Sequence, residues 1–232
     1  ENEITTKEKE IINQISNERE NILLNSEVEK IRDMSAELNG LLGIYQQNID
    51  LIKHDYHLFI ATDTYQALKV ANILENWFRK NGINNIEILT IAYLKANPNI
   101  QWAFPQLVKR IKQINDDREK YNKIIFNLVG GFKILQGFMQ TIGMLYADEI
   151  YYLFEGTRNL IPIPKFPIKP DFSEEIINKL RLIKYEINID NPDNLGILVI
   201  KENDKLLLSD WGEIVFEKSK HDFYQKLRQP II

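Results

Sequence analysis

Between residues 57 and 156 the sequence alternates between two hydrophobic periods. "HLFIAT" (57–62), "IEILTIAYL" (86–94), "KIIFNLVGG" (123–131) and "EIYYLFEG" (149–156) are short, nearly continuous apolar runs. Between them lie stretches with helical spacing: "QALKVANILENWFRKNG" (66–82), "FPQLVKRIKQINDDREKY" (104–121) and "KILQGFMQTIGMLYA" (133–147). A strand that is apolar on both faces needs cover on both, which a parallel sheet clad by helices provides. The pattern predicts an α/β fold: Rossmann-like, doubly wound, with a mostly parallel sheet and helices on both faces. Sheets of this kind hold ligands beyond the carboxyl ends of their strands. Three loops fall at that edge: "ATDT" (61–64), "YLKANPN" (93–99) and "VGGFK" (129–133).

The flanks read differently. Thr5 to Leu24 is polar, with Ile11, Ile12, Ile15, Ile22 and Leu23 spaced as an exposed amphipathic helix. Val28 to Ile52 carries Ile31, Met34, Leu38, Leu41, Leu42, Tyr45 and Ile49, which predicts one further helix with a wide apolar stripe. Past Gly156, "RNLIPIPKFPIKPDF" (158–172) sets four prolines among apolar residues and is expected to run extended along an edge. "SEEIINKLRLIKYEI" (173–187) predicts a helix capped by Ser173. "GILVIKENDKLLLSDWGEIVFE" (196–217) predicts a hairpin about "ENDK" and then a polar turn at Ser209–Gly212. The expected division is a main domain over 1–170 and a small helix and β-hairpin extension over 171–232.

Composition narrows the function classes. The 232 residues include no cysteine, so disulfides, thiolate zinc sites and cysteine nucleophiles are excluded, in keeping with a cytoplasmic protein. No apolar run approaches the roughly 18 residues of a bilayer span, and no membrane contact is expected. The polar opening "ENEITTKEKE" is the opposite of a signal peptide, and without an initiator Met it reads as part of a longer chain. Net charge is −4, from 29 basic and 33 acidic residues. Proteins that coat duplex nucleic acid show a basic excess, so no duplex partner is expected. A small anion held by backbone amides and one or two cations remains compatible.

The glycine pair at 130–131 is the first candidate for such an anion. The turn lacks the G-x-x-x-x-G-K-S/T and G-x-G-x-x-G spacings of the common nucleotide loops. It offers instead a helix N-terminus with free amides, a positive dipole end and Lys133 nearby. A tight strand-to-helix turn with no ligand explains the glycines equally well. Thr62, Asp63 and Thr64 could hydrogen-bond a ribose or base, or cap the helix that begins near Tyr65. His54 and His57 precede a strand at the opposite edge and read as structural. Ser35, Ser173 and Ser209 have no neighbouring base, and no catalytic constellation or metal cluster is visible.

The stretch "IIFNLVGGFKILQGFMQTIGMLYADEIYYLFEGTRNLIPIPKFPI" resembles the signature region of CARF domains, the CRISPR-associated Rossmann fold of type III ancillary effectors. Members show a G-G-F/T-K turn, here Gly130–Lys133, and then a G-x-L-Y step, here Gly143–Tyr146. An E-I-x-Y-x-F-E strand and an L-I-x-I-P-x-x-P-I segment follow, at Glu149–Glu155 and Leu160–Ile168. "SAELNGL" (35–41) and "LFIATDT" (58–64) are similar to two earlier family segments, so the resemblance runs from about 30 to 170.

The resemblance implies a cytoplasmic homodimer that senses a cyclic oligoadenylate and regulates an antiviral effector. A near-symmetric ring across a two-fold axis would meet the same anion site twice. It further implies ligand contacts from Gly130, Gly131, Phe132 and Lys133, from Gln136, and from Thr62, Asp63 and Thr64. No cofactor is implied, and the family favours the tetra-adenylate ring. The family's opening strand and its loop would lie upstream of Glu1. The effector domain would lie outside the chain too, since R-x-x-x-x-H and zinc-deaminase patterns are absent; higher oligomers could form through it. Two other readings stand beside this one. The domain could also cleave its ring, with Lys133 and Thr64 positioning a 2′-hydroxyl, although Phe132 stands where a hydroxyl residue can occur. The third is a generic α/β nucleotide-binding or interaction module.

Overall fold

A computed structural model of the chain describes residues 4–94, 103–131, 133–154, 156–166, 172–187, 189 and 192–227, the last eight by backbone alone. In chain order the elements are α1 (Thr6–Leu24), α2 (Val28–Ile31), α3 (Ala36–Ile44), α4 (Ile49–Ile52), β1 (His57–Thr62), α5 (Tyr65–Lys80), β2 (Ile86–Ile91) and α6 (Phe104–Asp116). Then come β3 (Ile125–Asn127), α7 (Lys133–Tyr146), β4 (Glu149–Leu153), β5 (Leu160–Pro162), α8 (Glu174–Lys184), β6 (Val199–Glu202), β7 (Lys205–Leu208) and α9 (Asp210–Leu227). They form two compact units, one of Glu1–Ala103 with Lys123–Lys165, the other of Phe104–Asn122 with Phe166–Ile232.

The first unit carries the expected mixed α/β, Rossmann-like character, with parallel strand pairs. β1 and β2 run parallel in register from His57↔Ile86 to Thr62↔Ile91. β3 pairs β4 in parallel, and β5 closes the far side antiparallel through Tyr151↔Pro162 to Leu153↔Leu160. Within the proline-rich run Leu160–Pro162 is therefore an edge strand among the described residues, where a residue without an N–H leaves no ladder bond unmade. Residues 167–171 lie outside the described residues.

Several boundaries differ from the sequence reading. The single helix expected over 28–52 is three: Ser35 caps α3 by accepting from the Leu38 amide, and Asn48 caps α4. Between them Gln46 and Gln47 adopt left-handed backbone, φ 50° and 63°. Short polar side chains offered the backbone alternatives to a continuous helix. The apolar stripe nevertheless survives, with Ile31, Leu38, Leu41, Leu42 and Ile52 in one buried cluster. The second strand stops at Ile91, because Tyr93 turns left-handed. The helix over 104–121 ends its α turns at Asp116 and continues as a 3-10 turn, Arg118–Lys120.

α3 lies where both ladders can reach it. Leu38, Leu41 and Leu42 pack in the cluster that holds Leu74, Trp77 and Phe78 of α5, joined by Phe59 of β1 and Ile86 of β2. Its Gly40 faces Asn127 and Val129, and its Gly43 faces Leu160 of β5. A polar clasp fixes the helix there. Arg32 Nε donates to Asn39 Oδ1 at 2.9 Å, and Asn39 Nδ2 donates to the Thr157 carbonyl at 3.3 Å. A second Arg32 nitrogen donates to the Arg158 carbonyl at 2.9 Å, while the Arg158 guanidinium pairs with Asp33 at 2.7 Å and with Glu29.

The second unit has its own core of Leu180, Ile183, Leu195, Leu198, Val215 and Phe216. The hairpin turns through Asn203 and Asp204, both left-handed at φ 47° and 60°, as a two-residue turn matched to strand twist requires. The polar turn expected at Ser209–Gly212 is instead the start of α9. Ser209 is buried, donates to the Ile197 carbonyl at 2.6 Å and accepts from the Gly212 amide at 3.1 Å. Lys112 of α6 pairs with Glu217 of α9 at 2.8 Å.

His57 opens β1 at its amino end and is buried, its ring 5.3 Å from Phe78 and 6.1 Å from Tyr45 between centroids. Nε2 lies 2.9 Å from the Ile52 carbonyl, which can only accept, so that nitrogen carries the proton. Burial holds the imidazole below its ordinary 6.5, only partly offset by the Ile52 carbonyl and by Asp55. With a lower pKa folded than unfolded, the unfolded chain takes up the proton first. Stability should therefore fall as pH drops from about 6.5 towards 5. His57→Gln should flatten that slope while lowering stability at pH 7.5 by about 1–3 kcal/mol. Urea denaturation across this pH range checks both.

Candidate anion-binding turns

Two candidate turns follow the carboxyl ends of parallel strands in the first unit. The first leaves β1. Thr62 and Thr64 hold their hydroxyls 3.0 Å apart, and Thr64 caps α5 by accepting from the Ala67 amide at 3.3 Å. Capping was one of two roles open for this threonine, and it is in place. Asp63 is exposed, and its carboxylate accepts from the Tyr93 amide at 3.1 Å, so it ties the β1 turn to the end of β2.

The second turn leaves β3, whose ladder extends one step as the Leu128 amide donates to the Tyr151 carbonyl at 2.8 Å. Gly131 then takes φ 95°, a conformation any side chain would strain. Gly130 lies close to α3: a Cβ there would come 2.6 Å from Glu37 Oε1, the end of a side chain that would have to shift. Glu37 is held in place from within α3, since Ser35 Oγ donates to its Oε2 at 2.7 Å. Asn127 Nδ2 also donates to the Glu37 carbonyl at 3.4 Å. The first turn of α3 thus lies against the glycine pair.

Lys133 opens α7 and is exposed. No acidic residue stands in that helix's first turn. A cation at a helix N-terminus opposes the macrodipole, and an anion bound there would relieve both. Gln136 is half-buried, and its Nε2 donates to the Leu128 carbonyl at 3.4 Å; it braces the turn from behind. Phe132 lies outside the described residues. Among the described residues no hydrogen bond or ion pair joins the 62–64 turn to the 130–136 turn. Ser35, Ser173 and Ser209 each accept a helical amide, which accounts for all three without catalysis.

Two residues beside these turns were not singled out by sequence reasoning. Glu37 sits in "SAELN", a segment noticed only as a stretch of resemblance. Its nearness to Gly130 spans 93 positions of chain and leaves no local pattern. Tyr93 was read as part of a strand and as the first residue of the ligand-edge loop 93–99, with no role of its own; residues 95–99 of that loop lie outside the described residues.

The fold and the glycine turn define a Rossmann-like α/β protein with an exposed lysine at the N-terminus of a helix whose first turn holds no acid. The chain belongs to a CRISPR-associated protein family (Cas_APE2256), whose model matches residues 32–166, more than half its length. The matched span begins at Arg32 of the α3 clasp and contains every candidate residue of both turns. No curated protein matches the chain.

Gly131→Ala should destabilise the protein by about 1 kcal/mol or more through its left-handed backbone, since among the described residues a Cβ there meets only Leu135 at 3.3 Å. Chemical denaturation measures this, and a cost near zero would place Gly131 in another conformation.

Proposed function

We propose that this chain is the sensory domain of a type III CRISPR ancillary effector, a CARF domain that binds a cyclic oligoadenylate in the cytoplasm. In this reading it acts as a homodimer, with the ring across the two-fold axis, and the tetra-adenylate is the favoured size. The observation that carries the reading is the Gly130–Lys133 turn within a CRISPR-associated family match. It combines a left-handed glycine, an opening α-helix and an exposed lysine with no acid in the helix's first turn. Such a turn can meet one phosphate of a ring and, in a second copy, another. Binding would control an effector module outside this sequence by favouring one dimer geometry over another.

A thermal-shift panel with cyclic tri-, tetra- and hexa-adenylate tests the reading. One ring should raise the unfolding temperature, and no shift with any of them would sink the proposal. Recovering the ligand afterwards tells a binder from a domain that also cuts its ring. Lys133→Ala should weaken binding at least tenfold by calorimetry while leaving the unfolding temperature without ligand unchanged. Unaltered affinity would remove Lys133 from the site.

A further inference from the structure

Tyr93 combines features that packing does not explain. Its φ is 64°, in a region that a bulky aromatic residue rarely enters. Its neighbours Ile91 and Leu94 are 3% and 0% exposed, yet Tyr93 itself is 49% exposed. The Leu94 amide donates to the Ile91 carbonyl, closing a tight turn that throws the tyrosine outward. Among the described residues its ring stacks on no other ring and meets no cation. What holds this unfavourable backbone is the Asp63 carboxylate, which accepts from the Tyr93 amide at 3.1 Å. Both residues stand at the carboxyl ends of β1 and β2, just past their last pair, Thr62↔Ile91.

We propose that Tyr93 is a stacking platform for a base of the ligand and that Asp63 is the positioning residue that presents it. This inference rests on the cyclic oligoadenylate reading above. Every adenine offers a flat π-face, and an exposed tyrosine ring matches it with few rotamers to freeze. Strained backbone around an outward aromatic side chain is retained where the displaced ring has a use. The role of Asp63 follows from its contact: the carboxylate keeps its charge and would repel a phosphate, and the bond it makes is with the Tyr93 amide. Asp63 thus acts through Tyr93 rather than on the ligand.

The test is calorimetry of the whole chain with the three cyclic adenylates, with unfolding temperatures recorded alongside. Tyr93→Phe keeps the face and should bind within about twofold of wild type. Tyr93→Ala should lose at least tenfold, the size of one base–aromatic stack. Tyr93→Gly should lose as much while raising the unfolding temperature, because glycine accepts the left-handed backbone. Asp63→Ala should weaken binding in the wild-type background and add nothing in the Tyr93→Gly background. An equal loss in both backgrounds would put Asp63 on the ligand itself and overturn its positioning role. Loss of the dimer in Tyr93→Ala on gel filtration would assign the ring to a subunit interface and overturn the platform. Wild-type binding that Tyr93→Ala leaves unchanged overturns this inference alone; absence of wild-type binding overturns the functional reading with it.

Discussion

One short helix carries the first unit. The β1–β2 ladder and the β3–β4–β5 ladder have no strand pairing with each other among the described residues. What the two share is α3. Its leucines sink into the core beneath β1, β2 and α5, while its glycines admit Asn127, Val129 and Leu160 from the other ladder. Side-chain packing of this kind is non-directional, so it leaves the angle of the helix open. The Arg32–Asn39–Thr157 bonds and the Arg158 pairs supply the missing direction. A buried asparagine is tolerated because its amide oxygen and nitrogen both find partners.

The same helix reaches the candidate site. Its first turn places Glu37 against Gly130, so a shift of α3 would be felt at the glycine turn without passing through a strand. The two turns are electrically unlike. Beside β1 the acid, Asp63, is bonded to the backbone of the neighbouring turn. After β3 the cation, Lys133, adds to a positive helix end, with the Glu37 carboxylate beside Gly130.

How much of this was legible depended on the range of the interaction involved. β1 was readable to the residue, because a continuous apolar run bounded by a polar turn carries its own limits. α5 was nearly so, with Thr64 and Gly82 marking its ends. The long helix of 28–52 was misread, since its apolar stripe is real but belongs to three helices. A spacing rule cannot see Ser35 or Asn48 capture backbone amides, or two glutamines enter a left-handed conformation. Ser209–Gly212 was read as a turn for a related reason: a serine that caps a helix and one that makes a loop are alike until the next residues pack.

The sequence by itself determined the alternation of strand and helix, the extended start of the proline-rich run at Leu160–Pro162, the glycine turn and its lysine. These follow from local sterics and from hydrophobic period, which act over a few residues. Only the tertiary structure decided that Glu37 closes on Gly130 and that Asp63 holds Tyr93. It also decided that Arg158 clasps the segment before α3. Those contacts join residues 30 to 129 positions apart. They are selected by the packing of whole elements, and nothing in the spacing of neighbouring residues records them.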